Sequence, residues 1–201
     1  MQIFFDLDGT LIDSRLRLYR LFQYLVRESS LSFEEYWGFK RKRQSHSAIL
    51  SGVFNYSEGS IVDFEKRWMA EIENDEWLEI DRPFEGMTEF LRRTGQSHSM
   101  FIVTARQFTE KVHRQIESYG WTHLFKEMLV TNQRHEKHQL MMPFLPESTD
   151  WMIGDTGKDI VVGKSLGMKT AAVLSGFLNR ESLEKYNPDI IVESVLHLDL
   201  A

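Results

Sequence analysis

"MQIFFDLDGTLIDS", residues 1–14, opens as a buried strand and ends as something else. The apolar run Ile3 to Phe5 has the continuity of a strand covered on both faces. It runs straight into Asp6 and Asp8, with one leucine between them. Alternate residues of a strand point to the same side, so the two carboxylates repel. Gly9 and Thr10 follow at once, and Gly9 lets the backbone turn tightly beside a ligand. A hard cation at this strand end resolves the conflict, because its charge offsets the repulsion.

Working outward, five further apolar runs read as buried strands: Met100 to Val103, Met128 to Val130, Trp151 to Ile153, Thr170 to Leu174 and Ile190 to Val192. Between the second and fifth strands lie segments of helical length, Gln107 to Tyr119, Arg134 to Phe144 and Gly157 to Leu166. Strands alternating with helices predict βαβ units, hence an α/β protein with a Rossmann-like parallel sheet flanked by helices. The interval after the first strand breaks this rhythm. From Ser14 to Asp81 only helical periodicity is visible: Leu16, Leu18, Leu21, Phe22 and Leu25, then Phe33, Tyr36 and Trp37, then Ile61, Phe64, Trp68, Met69 and Ile72. So long a stretch is no mere connection. Residues 14–81 are expected to form an inserted all-helical domain, residues 1–13 and 82–201 the core, and Arg82 to Gly86 the return hinge.

Parallel sheets gather function at the carboxyl ends of their strands. Asp6 and Asp8 follow the first strand, Thr104, Ala105 and Arg106 the second, and Gly154, Asp155, Thr156, Gly157, Lys158 and Asp159 the fourth; Lys137 lies beyond the third. Carboxylates from two strands meeting at one edge make an oxygen-rich site suited to Mg²⁺. In such a site Asp6 can attack an electrophile, and Asp8 can act as general acid and then base. Thr104 and the amides beside it can hold phosphoryl oxygens, and Lys137 can neutralise charge shared with Asp6. Asp155 would complete the metal shell and Asp159 would hold a metal-bound water or orient Lys137. The sum is metal-assisted phosphoryl transfer.

"DLDGTLIDS", "IVTAR" and "MIGDTGKDIVVGKSLGMKTAAVLSG" together resemble the haloacid dehalogenase superfamily, in its phosphatase branch, and the helical insert is similar to that family's first type of cap. The resemblance implies Asp6 as nucleophile, Asp8 as acid/base, Thr104 as phosphate ligand, Lys137 as stabilising lysine and Asp155 and Asp159 as metal-site acids. The Asp8 backbone carbonyl is implied as a further ligand. Many capped members carry Lys-Pro at the lysine motif, whereas this chain reads "RHEKHQL", with Arg134 as the nearby basic substitute. Gly9, Thr10, Ala105 and Arg106 are expected to border the substrate. In "YWGFKRKRQSH", Lys40 and Arg43 read either as cap contacts to an anionic substrate or as one solvated helix face.

The expected activity is Mg²⁺-dependent hydrolysis of a small phosphorylated metabolite through an aspartyl-phosphate on Asp6. A phosphomutase would use the same residues. Asp8 argues against a dehalogenase or a phosphonate hydrolase, and the full set of acids against a silent binding module. A net charge of −6 disfavours a nucleic acid partner. The absence of cysteine excludes disulfides and thiolate chemistry. No signal peptide and no apolar run long enough to span a membrane is visible, so a cytoplasmic protein without membrane contact is expected. The sequence leaves the oligomeric state open.

Overall fold

The computed structural model describes residues 1–200. In chain order its strands are β1 (Gln2–Phe5), β2 (Ile12–Asp13), β3 (Arg82–Pro83), β4 (Ser99–Thr104), β5 (Glu127–Val130), β6 (Trp151–Gly154), β7 (Lys169–Val173) and β8 (Ile190–Val192). Its α-helices are α1 (Arg15–Leu25), α2 (Phe33–Arg41), α3 (His46–Phe54), α4 (Glu58–Glu71), α5 (Asp75–Leu78), α6 (Met87–Gly95), α7 (Thr109–Ser118), α8 (Lys137–Met141), α9 (Gly157–Ser165) and α10 (Arg180–Glu184). Six strands form one parallel sheet in the order β5-β4-β1-β6-β7-β8. The chain adds strands first on one side of β1 and then on the other, so the order reverses around β1. Crevices of this kind, at the strand carboxyl ends, are where such sheets bind ligands.

Continuous apolar runs build the sheet because both faces are covered. Ile3, Phe4 and Phe5 are fully buried; Ile3 and Phe5 join one cluster with Phe90, Ile102 and Trp121, while Phe4 packs on the opposite side, its ring 4.5 Å from that of Phe101. Short β2 and β3 pair antiparallel, Ile12 opposite Pro83 and Asp13 opposite Arg82. The chain therefore leaves and re-enters the sheet region side by side, with α1–α5 between.

The helical segment has its own core of Leu21, Phe22, Tyr36, Trp37, Ile49, Leu50 and Phe64. Ser32, Ser45 and Ser57 start α2, α3 and α4, each hydroxyl accepting a backbone N–H from Glu35, Ala48 and Ser60. Caps of this kind each contribute about 1 kcal/mol. In α1 the inward stripe is Arg17, Leu18, Leu21, Phe22 and Leu25. Leu16, expected in the stripe, is 40% exposed, and Arg17 takes the buried place at 3%. The reason lies in its charged partners, described below.

Arg134 to Phe144 is not one helix. Asn132 and Gln133 adopt φ of 52° and 54°, turning the chain, and α8 begins only at Lys137 behind a capping box of Glu136 and Gln139. Pro143, which has no N–H to donate, falls in a short 3₁₀ turn, Met142–Phe144. Among the described residues no helix is long and apolar enough to cross a membrane.

Candidate active site

Asp6 continues the β1 ladder by one bond, its N–H donating to the Ile153 carbonyl at 2.8 Å. This pins its side chain at the junction of β1 and β6. Lys137, the first residue of α8, donates through Nζ to Asp6 Oδ1 at 2.5 Å and to Asp159 Oδ1 at 2.6 Å. Asp159 lies in the first turn of α9, where its other oxygen accepts from the Thr156 N–H and hydroxyl. Asp155, just past β6, is fully buried; its Oδ2 accepts from the Phe177 N–H at 2.6 Å, and its Oδ1 has no partner. One carboxylate oxygen from each of Asp6, Asp155 and Asp159 lies within 4.8 Å of the others.

Two glycines make room for Asp155. A Cβ on Gly9, which holds φ of +80°, would stand 2.5 Å from Asp155 Oδ2, and a Cβ on Gly176 would stand 1.9 Å from it. The turn that holds Gly9 is built by three N–H donors, from Thr10, Leu11 and Ile12, converging on the Leu7 carbonyl.

The cluster has three carboxylates and one ammonium. Burial, with the charges of Asp159 and Asp8, pushes the Asp6 carboxyl up to about 7 against the pull of Lys137. Burial and the charges of Asp6 and Asp159 push Asp155 well above the usual carboxylate range. Lys137 moves the other way from a simple buried lysine: burial lowers it, but Asp159 and Asp6 outweigh burial and hold it protonated. A buried carboxylate oxygen with no donor, inside an all-oxygen trio of excess negative charge, fits a hard divalent cation.

Asp8 is placed differently from Asp6. Arg106 grips it with two bonds, Nε to Oδ2 at 2.6 Å and Nη2 to Oδ1 at 2.7 Å, and Arg17 Nη2 reaches Oδ1 at 2.5 Å. Behind them Asp81 accepts from Arg17 Nε at 3.0 Å, from Arg106 Nη2 at 3.2 Å and from Gln115 Nε2 at 3.1 Å. Burial alone would raise Asp8, but Arg106 and Arg17 outweigh it and hold the carboxyl far below the usual range. Burial pushes Asp81 up, against the pull of Arg17. The Asp8 side chain thus stands apart from the metal trio, on the arginines.

A cavity of about 280 Å³ joins the two clusters. Thr104 and Ala105, at the end of β4, border it together with Asp6, Asp8, Arg106 and Lys137. Gly9 and Thr10 do not: they lie beneath, Thr10 fully buried. Lys40 and Arg43 are also away from it. Lys40 Nζ donates to the Gln44 carbonyl at 3.3 Å, and the Arg43 guanidinium lies 5.3 Å from the ring centre of Tyr186. The helical segment supplies Arg17, Leu18, Met69, Ile72 and Glu73 to the wall instead. Sequence reasoning passed over Arg17, Glu73, Asp81 and Gln115. Arg17 did leave a signal, since it falls in phase with Leu21 and Leu25 on the inward face of α1.

The haloacid dehalogenase-like hydrolase family matches residues 3–173 of this chain. The chain belongs to that family. It is 27% identical to the pyrophosphatase PpaX of Oceanobacillus iheyensis over 96% of this chain and 92% of the relative. It is 22% identical to the phosphoglycolate phosphatase of Aliivibrio fischeri over 98% of this chain and 93% of the relative. In fold it is similar to a haloacid dehalogenase-like hydrolase family protein from Streptococcus pneumoniae, with a TM-score of 0.78, 22% identity, and coverage of 97% of this chain and 94% of that one. A hydrolase from Pseudomonas syringae gives a TM-score of 0.68 at 15% identity, covering 98% of this chain and 94% of that one.

Proposed function

We propose that the protein is a Mg²⁺-dependent phosphatase of a small phosphorylated metabolite, working through a phosphoaspartate on Asp6. The observation that carries this reading is the Asp6–Lys137–Asp159 chain of hydrogen bonds beside the orphaned Asp155 Oδ1. Relatives named pyrophosphatase and phosphoglycolate phosphatase support it. Asp6, Asp155 and Asp159 would hold the cation, which when bound supplies positive charge to the phosphoryl oxygens and keeps these carboxylates ionised.

An Asp6 carboxylate oxygen attacks phosphorus, and the bond from phosphorus to the leaving oxygen breaks. Lys137 holds Asp6 in position and faces the charge that gathers on the phosphoryl oxygens. Asp8, which must first leave the arginines that hold it ionised and take up a proton, gives that proton to the leaving oxygen, then takes one from the water that attacks the phosphoaspartate. Phosphate leaves and Asp6 is restored.

Residues 14–81 act as a cap over this chemistry. In the structure they are docked: Glu73 accepts from the Gln107 N–H at 2.7 Å, the Lys111 ammonium donates to the Glu73 carbonyl at 2.6 Å, and the Trp37 and Phe177 rings lie 5.4 Å apart. A docked cap excludes bulk water from an intermediate that water destroys. The test is phosphate release from an aryl phosphate and a panel of metabolites. Release that needs Mg²⁺, stops on chelation and is absent in Asp6→Asn supports the reading; release undiminished in Asp6→Asn overturns it.

A further inference from the structure

A second dense group of bonded charges lies outside the acidic trio. Arg17 and Arg106 are 3% and 4% exposed, come from opposite sides of the cavity, and converge on one carboxylate, Asp8. Their geometry is that of oxyanion recognition: Arg106 presents the two-pronged edge that matches a carboxylate or phosphate, and Arg17 adds a third donor to the same oxygen. Arg106 Nη1, buried, has no partner at all. Both arginines border the cavity that also holds Asp6.

The acid that fills this grip is the one the phosphatase reading needs elsewhere. Three hydrogen bonds from two guanidinium groups occupy both Asp8 oxygens, so Asp8 has to leave them before it can serve a leaving oxygen. If it swings away, Asp81 is the one carboxylate still hydrogen-bonded to the two buried arginines, with the charge of Glu73 beyond bonding distance of Arg106. Buried charges without partners are strongly unfavourable, so departure of Asp8 requires a replacement anion. Resting on the phosphatase reading, we propose that Arg17 and Arg106 form the recognition site for a second oxyanion of the substrate, which takes the place of the Asp8 carboxylate and so frees Asp8 to approach the leaving oxygen. The substrate class is then a phosphoryl compound whose second acidic group, phosphate or carboxylate, lies only a few bonds from the scissile phosphorus. The 280 Å³ cavity suits such a short molecule. An alkyl phosphate with no second acidic group would leave Asp8 where it is, whereas an aryl phosphate, whose phenoxide departs without a proton, still reports attack by Asp6.

The experiment measures binding, so it does not depend on turnover. Methylenediphosphonate, phosphonoacetate and ethylphosphonate, none hydrolysable at phosphorus, are titrated calorimetrically into the protein with Mg²⁺. At least one doubly acidic probe is expected to bind about tenfold or more tighter than ethylphosphonate. Which of the two wins tells whether the second group is a phosphate or a carboxylate. Arg17→Gln is expected to remove the advantage, and Asp8→Asn, which takes away the resident anion, to increase it. Equal binding of all three probes overturns the proposal. So does an advantage undiminished in Arg17→Gln, since the second acidic group would then owe nothing to Arg17. If Arg17→Gln does not melt cooperatively, the Asp8→Asn arm decides: tighter binding supports the proposal, and unchanged or weaker binding overturns it. Mg²⁺-dependent release from an aryl phosphate, measured in parallel and lost in Asp6→Asn, keeps the phosphatase reading standing whatever the probes do.

Discussion

Where β1, β4 and β6 end, three carboxylates crowd beside one lysine that bonds two of them, while across the same cavity two carboxylates share two arginines. The first cluster carries surplus negative charge, a buried oxygen without a donor and a carboxyl pushed up to about 7. The second is balanced, and Asp8 in it lies far below the usual carboxylate range. Asp6 and Asp8 are two residues apart on one strand end, yet their surroundings drive them in opposite directions. A surplus is relieved by adding a cation, whereas a balanced pair responds only to exchange of one anion for another.

Asp6→Asn should break the first cluster's chemistry most completely, lowering kcat by at least about 10³-fold while thermal unfolding stays cooperative. Arg17→Leu should break the second cluster's stability, since it leaves Asp8 and Asp81 buried against a single guanidinium. Denaturant unfolding should show a loss of about 3–5 kcal/mol, the usual effect of removing one partner of a buried ion pair. Loss of under about 1 kcal/mol would place that pair among the weak, solvent-screened ones. Gly9→Ala combines a left-handed backbone with a collision against Asp155. It should cost about 2–4 kcal/mol and weaken the response of Tm to Mg²⁺.

Proton competition sharpens the contrast further. Asp6 has a folded-state value of about 7 against 3.8 for the free side chain. Between these values the folded protein binds a proton that the unfolded chain does not, so this group makes metal-free protein more stable as pH falls through 7. A cation needs the ionised form. Stabilisation by Mg²⁺ should therefore grow as pH rises through 7, reaching about 2.7 kcal/mol at a hundred times Kd. The difference in Tm with and without Mg²⁺ at pH 6 and pH 8 checks it. Asp155→Asn, which removes one of the crowded charges, should raise the Tm of metal-free protein by about 2–4 °C, the shift that 1 kcal/mol produces in a chain of this size. The same change at Asp8 should lower it.

The sheet was legible because parallel strands buried on both faces must be continuous apolar runs, and Gln2–Phe5 and Trp151–Gly154 fall where such runs lie. Asp6, Asp155 and Asp159 were legible for a related reason: an acid directly after such a run has to emerge at the strand edge or in the first turn behind it. Helix limits set by local turn chemistry were harder to read, as the start of α8 after Asn132 and Gln133 shows. The arginine grip was hidden because its members come from α1, the end of β4, the last residue before β3 and α7, and only the fold brings them together. Arg17 also looks like a surface charge until its phase with Leu21 is noticed. Lys40 and Arg43 mislead in the opposite sense, since a dense basic run draws attention yet packs against Gln44 and Tyr186, away from the cavity.

The most direct test of the account is to trap the covalent intermediate. Asp8→Asn protein, in which hydrolysis of the phosphoenzyme should be slowed, is mixed with Mg²⁺ and an aryl phosphate, quenched in acid within the first turnover and mapped by mass spectrometry. One phosphoryl group is expected on the N-terminal peptide carrying Asp6, absent when Asp6 is also changed to Asn. Hydrolysis of the aryl phosphate with no covalent phosphate on that peptide, and at the same rate after Asp6→Asn, would contradict it.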